Sequence, residues 1–338
     1  VISIFITIVT IMRNVWLRLG IIAVVTAATV FMFDNFESTK MNENVQKFYS
    51  TDKYKKEIKT IQSNGKEIKI GIIDIPAFYA DFKAYQAGDL NYKSTTRDVK
   101  LIIDSLKAAK VDAIVVDLRS NGGGSLMEAI DLTGLFLKQG PVVQVRDTKN
   151  KIEVGEDDDP SILWDGPMAV LIDRFSASAS EIFAAAIQDY GRGVVLGSTS
   201  TYGKGTVQRN IGLEPNSSLF NKETNDIGTI KLTLQKFYRI NGGSTQLKGV
   251  TPHIVLPDQY ETLKYREKDN PDALPWDEIQ KAFYSKAIPS YDLEQVKRNS
   301  MDRIGSHPTF NAIKASSLLL EKANEKVYSL QLSKYREE

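Results

Sequence analysis

The apolar run MAVLID (168–173) passes directly into FSASASEIFAAAIQDYG (175–191), a turn of alternating serines followed by a helical stretch. A run of apolar residues without alternation needs a sheet covered on both faces. A helix following at once must lie on one of those faces. The joint holds Ser176, Ser178 and Ser180 at the edge of the sheet, where the free N–H groups of the helix also point, as in nucleophile elbows. Ser178-Ala-Ser-Glu181 is equally a capping box, which explains a serine at a helix start without any chemistry.

Composition narrows how such a serine could be activated. The chain has no cysteine and two histidines, His253 and His307, so thiol nucleophiles, disulfides and histidine-rich metal sites are excluded. His253 in GVTPHIVLPD and His307 in GSHPTF read as surface or turn residues rather than as the base of a Ser-His-Asp triad. What remains is Lys204, between two glycines in TYGKGTVQ (201–208). A lysine that is buried loses its proton near neutral pH and can serve as base for a serine hydroxyl. The same loop resembles a phosphate-binding loop but fails its spacing. Five residues separate Gly197 from Gly203, Gly205 follows Lys204, and TVQRNIGL reads as extended, whereas that loop needs four residues, Ser or Thr after Lys, and a helix. A third element is DLRSNGGG (117–124), a glycine turn after a buried strand. Such a turn can offer backbone N–H groups to a developing oxyanion, or simply connect a strand to a helix.

Along the chain, EIKIGIIDIP (67–76) reads as a strand. Residues 94–110 read as an amphipathic helix with Val99, Ile102, Ile103 and Leu106 on one face. A buried strand follows at 111–119, a helix at 126–140 ended by Gly140, a strand in PVVQVRD, and a polar excursion in KIEVGEDDDPS. After the serine turn come a strand at 193–197 and an alternating strand at 229–242. This β–α–β–α–β order predicts an α/β core over 67–257. Residues 34–66 read as a linker with a turn at Asn64-Gly65, and 258–338 as a mostly helical C-terminal domain.

Residues 19–33 carry no charge, with Arg13 and Arg18 before them and Asp34 and Glu37 after. The pattern predicts a signal-anchor or secretory signal over 1–33, with the N-terminus inside and the remainder outside. A single-pass inner-membrane protein with a periplasmic catalytic part is the corresponding expectation. The net charge of +1 gives no electrostatic footprint for nucleic acid.

Taken together, GKEIKIGIIDIPAFY, DAIVVDLRSNGGGSLMEAIDLTGLFL, PMAVLIDRFSASASEIFAAAIQDYGRGVVLGSTSTYGKGTVQ and GVTPHIVLPD resemble the tail-specific proteases, or carboxyl-terminal processing peptidases. The resemblance covers 67–257, and a looser one continues through DALPWDEIQ to the end. It implies a ClpP/crotonase-like α/β catalytic core with Ser178 as nucleophile, Lys204 as base and Gln208 orienting the lysine amine. The backbone N–H groups of Gly124 and Ala179 would bind the oxyanion. It also implies no cofactor and no metal, and as substrates unfolded proteins or proteins with apolar C-termini. The Ser178–Lys204 interval is one residue longer than the family spacing, an insertion a loop can absorb. The family also carries a PDZ domain that binds the substrate tail. Residues 34–68 are fewer than the ~50 of a small domain, so the expectation is a truncated or rearranged member with its dyad but no tail reader, its C-terminus stopping within its domain. A protease-like protein that binds peptides without cutting is the alternative.

Overall fold

A computed structural model of the protein describes residues 55–63, 65–212, 229–287, 291–327 and 331–335. The apolar run 19–33 lies outside them. Among the described residues no helix is long and apolar enough to cross a membrane.

Five parallel strands form the centre of the molecule: β2 (Lys66–Asp74), β3 (Ala113–Asp117), β6 (Met168–Ile172), β7 (Val194–Gly197) and β10 (Ile254–Val255), in that spatial order. β1 (Lys55–Ser63) closes one edge, antiparallel to β2. The sequence places residues 55–63 in a linker. They form a hairpin strand instead, turned through Gly65 at φ 74°. Its lysines and glutamate suit an exposed edge, where charge discourages pairing with other chains.

Crossover helices join the parallel strands. A short helix, α1 (Phe82–Gln86), precedes α2 (Thr95–Ala108), which starts where Ser94 Oγ accepts the Arg97 N–H. Val99, Ile102, Ile103 and Leu106 of α2 are buried, as their spacing predicts. α3 (Leu126–Gly134) is shorter than the sequence suggests. Gly140, expected to end it, opens β4 (Gly140–Asp147) at φ 142°. α4 (Ala179–Tyr190) joins β6 to β7.

Residues on the central strands alternate between two cores, as strand geometry requires. Ile114, Val116, Val170 and Ile172 pack with Val99, Ile103 and Phe183 on the crossover-helix side. Ala113, Val115, Ala169 and Leu171 pack on the other side with Val296, Ile304 and Phe310. Those last three belong to α5 (Leu293–Ser306) and α6 (Pro308–Glu325). The C-terminal helices therefore cover the back of the central sheet and share its core. Each large side chain buried there contributes roughly 1.5–3 kcal/mol. A last short helix, α7, spans Leu332–Tyr335.

Two excursions build a second sheet. β4 and β5 (Ile152–Asp157) lie between α3 and β6. β8 (Thr206–Gly212) and β9 (Thr229–Tyr238) lie between β7 and β10. They meet where β4 pairs with β9, giving the antiparallel order β5-β4-β9-β8. Residues 152–157, read as a polar excursion, are thus a strand. Residues 258–287 also depart from expectation. Apart from a 3-10 turn at Glu267–Asp269 they hold no helix. They leave the C-terminal end of β10 and bond to the loops at that edge of the sheet.

Candidate active site

The nucleophile turn is built by its neighbours. The Asp173 carboxylate accepts the N–H groups of Ser120, Phe175 and Ser176 at 2.9–3.0 Å, folding the chain back after β6. Ser176 Oγ donates to Leu118 O (2.8 Å) and Ser180 Oγ to Asn121 O (2.9 Å). Two of the three serines are therefore committed to tying the turn to the glycine loop. Ser178 differs. It sits at the N-cap of α4 with φ 58° and ψ −113°, a conformation that costs a non-glycine residue about 1–3 kcal/mol. The Ser178 N–H donates to Glu181 Oε2 (2.8 Å), and its hydroxyl makes no side-chain cap hydrogen bond. The strained turn leaves that hydroxyl available, as in a nucleophile elbow.

The glycine loop lies directly against this serine. Asn121 fixes it, donating from Nδ2 to Ile75 O (2.7 Å), accepting the Gly123 N–H at Oδ1 (2.8 Å) and accepting the Ala177 N–H at its carbonyl (3.0 Å). Phe78 pairs with Gly124 in a parallel bridge that uses Gly123 O and the Ser125 N–H. The Gly124 N–H therefore points off that bridge. Among the described residues neither it nor the Ala179 N–H at the start of α4 has an acceptor. Both glycines are required by shape. At Gly123 (φ 101°) a Cβ would stand 2.8 Å from Ser178 Cβ and 3.0 Å from Ala179 N; at Gly124 (φ 145°) it would overlap Phe78 O. Gly123→Ala is expected to lower kcat/KM by ~10²-fold or more, because displacing the nucleophile by about 1 Å suffices for that. Steady-state kinetics beside a thermal melt would check it; unchanged kinetics would show that the loop does not touch the reacting groups.

The lysine loop (198–205) runs from β7 to β8, and Glu181 joins it to Ser178. Glu181 is fully buried. Its Oε1 accepts Thr201 Oγ1 (2.6 Å) and the Gly203 N–H (2.8 Å), and its Oε2 accepts the N–H groups of Ser178 (2.8 Å) and Lys204 (3.0 Å). One carboxylate oxygen thus touches the backbone of both expected catalytic residues. Burial pushes the Glu181 pKa up to about 7, against the four hydrogen bonds that favour its charged form. A second clamp comes from residues 244–247. Thr245 Oγ1 donates to Lys204 O (2.8 Å), the Leu247 N–H donates to Gly203 O (2.8 Å), and the buried Gln246 accepts the Gly205 N–H at Oε1 (2.8 Å). Burial lowers the pKa of the Lys204 amine, and the charge of Lys231 lowers it further; Glu267 and Glu181 act in the opposite direction.

Ser178, Ala179, Gly124 and Lys204 therefore come together from three segments of the chain. Gln208 does not join them by a bond. A bulge between Val207 and Gln208 sets Gln208 directly opposite Thr233 on β9, and its Nε2 donates to Thr233 Oγ1 at 3.3 Å. The histidines stand elsewhere. His253, expected at the surface or in a turn, lies in the bend before β10 and is half-buried. Its Nδ1 accepts the Val195 N–H (3.0 Å), and burial pushes its pKa down to about 4. His307 caps α6 by accepting the Thr309 N–H (3.3 Å). Lys204 leads into a strand and not a helix, so the loop has no helix N-terminus to offer a phosphate.

The sequence signalled Glu181 only as a capping partner, through its S-x-x-E spacing. Thr245 and Gln246 gave no signal at all. A hydroxyl in a strained turn, N–H groups without acceptors on the adjoining segments and a half-buried amine are the groups needed to add a nucleophile to a carbonyl and hold the resulting oxyanion.

Comparison with known proteins finds relatives among the peptidases. The chain is 46% identical over 215 residues to the Tail-specific protease of Haemophilus influenzae, covering 64% of this chain and 28% of that protein. It is 31% identical over 208 residues to the Carboxy-terminal processing protease CtpA of Bacillus subtilis, covering 60% and 42%. The chain thus spans well under half the length of either relative. Among solved structures, a photosystem II D1 C-terminal processing protease matches with a TM-score of 0.47 and 23% identity, over 60% of this chain and 48% of that one. Residues 260–338 match the sequence model of the C-terminal domain of tail specific protease. The model of peptidase family S41 matches residues 69–256, more than half of the sequence, and the chain belongs to that family.

Proposed function

We propose that this chain is a serine endopeptidase of the C-terminal processing type, working through a Ser178/Lys204 dyad. The observation that carries the proposal is the shared oxygen, Glu181 Oε2, which accepts the N–H groups of both residues. As Ser178 Oγ attacks the peptide carbonyl, the neutral Lys204 amine takes its proton. The Gly124 and Ala179 N–H groups receive the oxyanion. The C–N bond then breaks, the lysine ammonium protonates the leaving amine, and an acyl ester remains on Ser178. Water, deprotonated by the same lysine, hydrolyses that ester and restores the serine.

The lowered pKa of Lys204 supports its role as base, since only the neutral amine can accept a proton. Gln208, which lies opposite Thr233 and donates to its hydroxyl, is a candidate to orient that amine in the substrate complex. The names of the relatives support proteins as substrates, with unfolded chains ending in apolar residues as the favoured class. The uncharged run 19–33, basic before and acidic after, supports anchoring in the inner membrane with the catalytic part on the periplasmic side. The complete set of chemical groups does not favour a peptide binder that fails to cut.

The test is digestion of one unfolded protein in two forms, with an apolar or a charged C-terminus. New termini are expected from both, several-fold faster from the apolar form. Binding without new termini would leave only the non-enzyme reading.

A further inference from the structure

Resting on the dyad reading, we propose that Glu267, from the region matched as a separate C-terminal domain, is a positioning residue for Lys204. Its contacts brace the lysine on both flanks. The Glu267 N–H donates to Tyr202 O at 3.0 Å, two residues before Lys204. Its Oε1 accepts Gln246 Nε2 at 3.1 Å, and Gln246 Oε1 accepts the N–H of Gly205, the residue after Lys204. Gln246, the middle of this relay, is fully buried, and Glu267 is half-buried.

Glu267 is itself fixed. The neighbouring Arg266 is buried and donates to Thr199 Oγ1 (3.0 Å), at the start of the lysine loop, and to both carboxylate oxygens of Glu261 (3.1 Å). Glu261 also bonds the fully buried Arg174 (3.3 Å) in the nucleophile turn, and Asp258 bonds Arg174 at 3.0 Å. Residues 258–267 therefore form a strap that grips the serine turn through Arg174 and the lysine loop through Arg266 and Glu267. A region that sequence matching separates from the peptidase core reaches the base of the dyad.

The charge on this strap bears on the lysine as well. Four influences meet at the amine: its burial, Lys231 from β9, Glu181 from α4 and Glu267 from the strap. Glu267 is the one acidic group among them outside the core matched as the peptidase. It favours the ammonium form, and so raises the pH at which the base becomes available, against the larger effects of burial and Lys231.

The test uses the full chain and two variants. Glu267→Gln keeps an acceptor for Gln246 but removes the charge; Glu267→Ala removes both. Two readouts are taken against pH: the rate of Ser178 acylation by a β-lactone, and the rate of Lys204 acetylation by acetic anhydride, each located by peptide mass spectrometry. For Glu267→Gln both profiles are expected to move to lower pH by roughly half a unit, with the high-pH plateau of acylation kept within twofold. For Glu267→Ala the acylation plateau is expected to fall about tenfold, while Tm stays within a few degrees. Profiles of Glu267→Gln that superimpose on those of the unaltered chain overturn the proposal. So does a Glu267→Ala loss that is the same fraction at every pH and follows a fall in Tm. The acetylation readout does not depend on peptidase activity. Acylation that persists in Ser178→Ala would therefore sink the dyad reading alone, whereas an unmoved lysine profile sinks the present proposal alone.

Discussion

Alanine in place of Ser178 is expected to abolish peptide-bond cleavage, by on the order of 10⁴-fold or more, and to leave the fold intact. The neighbouring serines cannot take over, because the hydroxyls of Ser176 and Ser180 are committed to Leu118 O and Asn121 O. The fold should survive because the Ser178 hydroxyl makes no cap hydrogen bond, so its removal leaves no buried partner unpaired. Lys204→Ala is expected to be equally inactive. Lys204→Arg should be inactive too, since a guanidinium keeps its proton and cannot act as a base. Cleavage assays beside thermal melts check all three. An active Lys204→Arg variant would exclude the lysine as base.

Loss of Glu181 should damage both halves of the site together. Glu181→Ala removes the acceptor of three backbone N–H groups and the Thr201 hydroxyl. Each buried donor left unpaired costs about 1–3 kcal/mol, a large part of the total stability of a domain, which is about 5–15 kcal/mol. Glu181→Gln is the more informative variant. It preserves shape but turns an N–H₂ group toward one pair of those donors. We expect a fall in kcat/KM of ~10²-fold or more, with a smaller loss of Tm.

The same carboxyl gives a pH signature. Its pKa stands at about 7 in the folded protein, above the ordinary glutamate value of 4.5. As pH falls below 7, a proton turns one acceptor oxygen into a donor, and the grip on Ser178 and Lys204 loosens. Protonation of Lys204 acts in the same direction, so activity should fall with pH. Stability should run the other way. A raised folded pKa means that the folded state binds the proton more tightly than the unfolded state. Its stabilising contribution is complete below 4.5 and is lost as pH rises through 7. The Tm difference between the unaltered chain and Glu181→Gln should therefore change across pH 4.5–7. A constant difference would show that Glu181 does not titrate there.

Local pattern carried much of this architecture. The apolar face of α2 follows from spacing alone, and β3 and β6 follow from unbroken apolar runs, because a strand covered on both faces has no polar side to show. β1 was not legible. Its Lys–Glu–Ile–Lys alternation is that of an edge strand with one solvated face, which in a short stretch looks like a polar linker. β5 was hidden for the same reason by its glutamates and aspartate. The strap at 258–267 is charged yet forms no α-helix, because Asp258, Glu261 and Arg266 pair with Arg174 and Thr199, far away in sequence. Within the site, Lys204 stood out by composition and by its glycine neighbours, whereas the turn stood out as three serines, of which only the family resemblance singled out Ser178. The clamp on the lysine did not, since Thr245 and Gln246 act across 41 residues. Nothing local distinguishes a threonine and glutamine in a turn from residues that grip a catalytic loop. Gln208 shows the converse: a motif position can be read from sequence, while a bulge in the strand decides which partner it meets.

The most direct test of the Ser178/Lys204 dyad is to expose the full chain to an acylating β-lactone, digest it, and locate the label by mass spectrometry. The account predicts a single acyl ester, on Ser178, formed in the unaltered chain and lost in Lys204→Ala. A label on Ser176 or Ser180, or labelling of Ser178 at the same rate without Lys204, would contradict it.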